Sequence, residues 1–204
     1  MNPNSSALKH LRDQVVRDDS ELTSAIDSYD HWATTEFLLE HDHFNLVGQD
    51  NIRRYLPIDA LCIRIAETDS WFDIVARTAA ARSVGCRVII SSTAGTKSEE
   101  LARLDKMTED WAAAIEFVEQ TDADLLTSIK YKEIHRLRYA SPDAVPETIR
   151  RGVIGHYIHI ADTPVLAHGR LELMNYVEEQ SVCSDYHRYG NLGARANEER
   201  QAVL

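Results

Sequence analysis

A chain of 204 residues with 44% hydrophobic and 27% charged side chains has the make-up of one globular domain, which excludes wholesale disorder and a fibrous fold. Its 22 Lys and Arg against 33 Asp and Glu give a net charge of -11, which disfavours non-specific binding to nucleic acid or to anionic lipid. No apolar run approaches the roughly 20 residues of a membrane span. Met1 to Ser6 open no secretory signal either, so a cytoplasmic location is the expectation.

In chain order, Ser5 to about Glu40 reads as two helices. Leu8, Leu11, Val15 and Val16 form the apolar face of the first, and Leu22, Ile26, Trp32, Phe37 and Leu38 that of the second, with Ser20 as its expected cap. His41 to Pro57 shows no regular period and reads as a connector. Leu61 to Ala66 and Cys86 to Ser91 are short β-branched runs on either side of a helical pattern that opens at Asp69-Ser70 and closes at Gly85. Strand, helix and strand at this length predict a βαβ unit with parallel strands and a right-handed crossover. Ser98 to about Thr121 reads as one helix, with Leu101, Leu104, Met107, Trp111, Ile115 and Val118 on a common face. Further strands are expected at Leu137-Arg138-Tyr139 and Tyr157 to Ile160, with a short helix from Val145 to about Ile154 between them. Arg170 to Val177 fits either strand or helix, and from Ser181 onward the apolar periodicity is lost. The fold class that follows is α/β: Rossmann-like, with a mainly parallel sheet and flanking helices.

An open parallel sheet invites a nucleotide, yet neither turn that would hold phosphate has the glycine fingerprint. Ala66-Glu67-Thr68-Asp69-Ser70 has no glycine and two acids that repel a pyrophosphate. The Thr93 to Ser98 turn holds the single Gly95 and is better read as a polar surface turn. The histidine clusters, His41 and His43 with His31, and His156 with His159, do not supply three converging ligands by spacing, so a structural or surface role is expected. Cys62 and Cys86 sit in apolar runs as buried residues, and no CxxC spacing suggests zinc or a disulfide framework. Cys183 lies four residues before His187, but Gly190 and Gly193 argue against the helix that would join them. No catalytic, cofactor-binding or metal-binding residue is therefore assigned.

The densest unusual stretch is Ser184 to Arg195, where tyrosines, a histidine and arginines alternate with two glycines, a composition suited to docking in a groove. Here the sequence resembles a known family. Glu178 to Ser184, with the Asp185 to Gly193 segment behind it, resembles the C-terminal motif of the bifunctional proline utilization A flavoenzymes. Ala161 to Leu173 resembles the segment just upstream, and Val47 to Pro57 the connector leaving their aldehyde dehydrogenase domain. The three segments keep the family's order across residues 25 to 196.

The resemblance implies a module related to aldehyde dehydrogenases but without a working active site. It packs through a β-flap on a glutamate semialdehyde (1-pyrroline-5-carboxylate) dehydrogenase and lids the tunnel that passes the intermediate from a proline dehydrogenase. It further implies helical and connector residues 1-57, a Rossmann-like domain at 58-167, a flap at 168-180 with Arg170 to Val177 as strand, and a docking tail at 181-204. Asp185, Tyr186, His187, Arg188, Tyr189, Gly190, Asn191 and Gly193 become partner-binding residues. NAD and FAD belong to the parent or partner enzyme, bound in cis or in trans. The flavin barrel, the catalytic cysteine segment and the cofactor glycine loop have no counterpart in these residues. The chain is thus expected to be either a C-terminal piece of a longer protein or a split module. Two other readings stay open: a stand-alone interaction or oligomerisation module whose acidity suits a basic partner, and a nucleotide-binding oxidoreductase fragment using the Thr93 to Ser98 turn.

Overall fold

A computed structural model describes residues 5–15, 19–111, 113–187 and 190–200. Val16 of the first helix and Arg188 and Tyr189 of the tail lie outside the described residues. Helices α1 (Ser5–Val15) and α2 (Ser20–Trp32) stack their apolar stripes, Leu8, Leu11 and Val15 against Leu22, Ile26 and Tyr29, into one buried cluster. The cap of α2 is Asp19, not Ser20: its Oδ1 accepts the Leu22 amide at 2.9 Å, the stronger arrangement for an acid at a helix N-terminus. A π-helical turn, Ala33–Phe37, follows, where the Thr34 and Thr35 hydroxyls bond back to the carbonyls of Asp30 and His31.

The core sheet is five-stranded and wholly parallel, in the order β4-β3-β2-β5-β6. Its strands are β2 (Ala60–Arg64), β3 (Arg87–Ser92), β4 (Ile115–Glu119), β5 (Arg136–Arg138) and β6 (His159–Ala161). Pleating sends Leu61, Ile63, Val88 and Ile90 to the face covered by α1, α2 and α3 (Trp71–Val84). Cys62, Ile89 and Leu137 face the opposite cluster under α5 (Asp122–Lys130) and α6 (Glu147–Gly152). Helix α3 is buried on almost every side because it lies between the sheet and the α1/α2 pair, and its alanines let both approach. A reciprocal Ser70/Asp73 capping box starts it and Gly85, at φ 98°, ends it.

Further expectations fail. The single helix read over Ser98 to Thr121 is α4 (Ser98–Met107), a 3-10 turn at Glu109–Trp111 and strand β4. Ile115 and Phe117 pack on the α3 side while Val118 packs on the other, a period of two that had coincided with the helical one. Arg170 to Tyr176, expected as flap strand, is helical: α7 (Gly169–Glu172) and a 3-10 turn at Leu173–Tyr176 that bury Glu172, Leu173 and Tyr176. Gly169 is required where α7 meets α2, because a Cβ there would collide with the Ser28 carbonyl.

The strand that follows is β7 (Val177–Asp185), which runs past residue 181. It pairs antiparallel with β1 (Gln49–Pro57), inside the stretch read as an irregular connector. Nine residue pairs run from Gln49 opposite Asp185 to Pro57 opposite Val177. Among the described residues no helix is long and apolar enough to cross a membrane.

Candidate functional site

In an open parallel sheet, ligands bind outside the carboxyl ends of the strands where the strand order reverses, here between β2 and β5. The turn after β2 would offer its amides and the α3 N-terminus to a phosphate. Several of those donors already have acceptors. Asp69 accepts the Ala66 amide at 3.1 Å and ion-pairs with Arg77, both side chains fully buried. Ser70 and Asp73 cap the helix end. Arg64, buried at the end of β2, donates to Ser91 Oγ (2.7 Å), to the Gln120 carbonyl (3.0 Å) and to Asp122 Oδ1 (2.8 Å).

The space left between these turns, about 210 Å³, is smaller than the roughly 300–1,000 Å³ of typical small-molecule sites. Glu67 and Asp122 line this space together with Arg64, which Asp122 already pairs, a lining poorly matched to a dinucleotide's phosphates. At the Thr93 to Ser98 turn, the Thr93 and Thr96 hydroxyls bond each other at 2.7 Å, and Lys97 faces Glu100 at 3.7 Å. Titration of the chain with NAD is expected to give no saturable heat up to millimolar ligand. A saturable isotherm would contradict this account of the crevice.

Neither buried cysteine is an activated nucleophile. Burial pushes the Cys62 and Cys86 thiols up to about 12, so both stay protonated at neutral pH. The exposed Cys183 sits on β7, away from the crevice. Of the histidines, His41 bonds the Glu36 carbonyl through Nε2 at 2.9 Å and stacks on His43, while His31 packs edge-on to Trp32. Among the described residues, no group of three or more His, Cys, Asp or Glu is placed to hold a metal ion.

The expected partner-binding residues that are described fall at the far end of the β1/β7 ribbon and just beyond it. Asp185 closes β7 and accepts the Gln49 amide side chain at 2.7 Å. The Tyr186 amide and His187 Nδ1 both reach the Gly48 carbonyl, at 2.9 and 3.0 Å. Gly48 has φ 90°, and a Cβ there would meet His187 Nδ1 at 2.8 Å, so this closure needs glycine. Gly190 and Gly193 take positive φ, and Asn191 Oδ1 accepts the Gly193 amide at 2.8 Å.

Five residues outside the expected set complete the cluster. Arg195 forks onto Asp50 at 2.8 and 3.1 Å and onto Glu198, while Arg200 contacts Asp50 and also Asp42, the latter at 3.3 Å. The Tyr186 ring lies 3.8 Å from the Arg195 guanidinium and 5.3 Å from that of Arg200. The bonds from Arg195 and Arg200 hold the Asp50 carboxyl down at about 2. The arginines and Tyr186 stood in the docking-like stretch or just beyond it, but nothing local marked Asp50, 145 residues from Arg195, as their acceptor.

No protein-family model and no curated protein matches the chain. Solved structures do. Proline utilization A from Corynebacterium freiburgense is 24% identical over 85% of this chain and 14% of its own, with a TM-score of 0.55. A proline utilization A structure with proline bound in remote sites is 12% identical, covering 78% of this chain and 19% of its own, with a TM-score of 0.61. A variant of Thermus thermophilus 1-pyrroline-5-carboxylate dehydrogenase is 13% identical over 78% of this chain and 37% of its own, at a TM-score of 0.55. The chain therefore shares its fold with a domain found in proline utilization A and aldehyde dehydrogenase structures. Proline utilization A is among the proteins that carry it, and this chain spans less than a fifth of the two such structures described.

Proposed function

We propose that the chain is a noncatalytic accessory module of proline catabolism that packs on a 1-pyrroline-5-carboxylate dehydrogenase and lids its substrate-channelling tunnel, in cis or in trans. The observation that carries this reading is the contrast between its two ends. The crevice where the fold would hold a cofactor is small and lined by the chain's own Arg64–Asp122 ion pair and by Glu67. The flap and tail, by contrast, stand out from the core with β7 exposed along most of its length. A two-stranded ribbon is marginal by itself, and this one carries the exposed apolar side chains Leu56 and Val182, which a partner surface would cover. The three segments that resemble proline utilization A lie in this region or lead into it, and the shared fold is consistent with them. Asp185 to Gly193 form the docking edge in this reading, and a cytoplasmic location goes with it.

The test uses a proline utilization A core lacking its own C-terminal module, with this chain added. Replacing Arg188 and Tyr189 together by Ala is expected to lower NADH formation from 1-pyrroline-5-carboxylate by about ten- to a hundredfold, the cost of misplacing a site's support. Oxidation of proline at the flavin should be unchanged. Equal loss of both activities contradicts the lid.

A further inference from the structure

The segment that the docking reading assigns to a partner is already engaged within its own chain. Between Tyr186 and Arg200 none of the described residues is buried; only Tyr186, Leu192, Arg195 and Arg200 are even half-covered. Apolar burial therefore does not fix the tail where it lies. What holds it is a cluster of charges, Arg195 and Arg200 against Asp50, Asp42 and Glu198, with both guanidiniums over the ring of Tyr186. A lone exposed ion pair contributes little, whereas forked contacts that share acceptors and an aromatic face form a network that orders a segment and can still be exchanged.

We infer that Asp50, with Asp42, is an internal receptor for the tail, so that the two arginines close an autoinhibitory latch that must open before Tyr186 to Gly193 can enter a partner's groove. The inference rests on the docking reading. Arg195 covers one face of the Tyr186 ring, and in this inference a partner's groove takes that same face, so latch and partner compete for it. The partner that relieves the latch presents carboxylates of its own, because Arg200 is largely withdrawn from solvent here and a guanidinium leaving Asp50 needs a new acceptor. Apparent affinity for such a partner is reduced by the fraction of chains that are open, and the same fraction sets amide exchange in the tail.

Two measurements on the full chain test this: hydrogen exchange across residues 186 to 200, and binding to the dehydrogenase core described above. Asp50→Asn is expected to speed exchange of the tail amides, Gly193 and Arg195 among them, by about tenfold, leaving the core strands unchanged, and to tighten binding by the same factor. The pair Arg195→Gln with Arg200→Gln must accelerate exchange equally, which separates loss of the latch from damage to β1. Unchanged exchange in both variants overturns the latch. Faster exchange without tighter binding overturns its inhibitory role. If neither wild type nor Asp50→Asn binds the core, the docking reading fails together with that role, while the exchange result still decides whether the latch exists.

Discussion

Replacing Glu172 by Ala is expected to cost about 3 to 5 kcal/mol of unfolding free energy, the range for removing one member of a buried charge pair. Glu172 and Arg138 are both fully buried, with Arg138 Nη2 2.8 Å from Glu172 Oε1. The same carboxylate accepts the Tyr176 hydroxyl at 2.6 Å and the Leu166 amide at 3.0 Å. Arg138 in turn donates to the Thr163 carbonyl at 2.7 Å and to that of Tyr139. Truncation at Glu172 leaves a guanidinium, a phenol and an amide without their acceptor in a dry interior, and each orphan adds its own desolvation cost.

Position magnifies the effect. Arg138 ends β5 while Glu172 ends α7, and β7 leaves five residues later, so this cluster roots the flap in the sheet. Replacing Glu172 and Arg138 together by Leu and Met should recover much of the loss, since well-packed apolar substitutes often match a buried pair. Urea unfolding of the single and double variants checks both statements. A single variant within about 1 kcal/mol of wild type would mean that the carboxylate does not carry the cluster.

The βαβ centre was legible because local signals agree there: β-branched runs, a Ser70 cap and a Gly85 stop all favour the same elements. The acidic, glycine-free turn after β2 was legible as hostile to phosphate. That Asp69 is buried against Arg77 beneath this turn was not, since burial of an ion pair has no pattern in sequence. Strand β4 was hidden because Ile115 and Val118 continue the spacing of Leu101, Leu104 and Met107 by coincidence. The flap was hidden for a different reason. Gln49 to Pro57 alternates neither in burial nor in polarity, and its pairing with β7 joins residues as far as 136 apart, which no local period reports. The partner-binding residues came from resemblance, whereas Asp42 and Asp50, which meet the tail, depend on that same long-range register.

The proposed function needs both parts: the flap packs on a dehydrogenase, and the tail supports its site from outside. The structure fixes where to cut: β7 extends to Asp185, so a chain ending there keeps all nine flap pairs and loses only the tail. NADH production from proline, by a core enzyme stripped of its own C-terminal module, should be stimulated by the intact chain and not by the chain cut after Asp185. Equal stimulation by both forms, or none by the intact chain, contradicts the account.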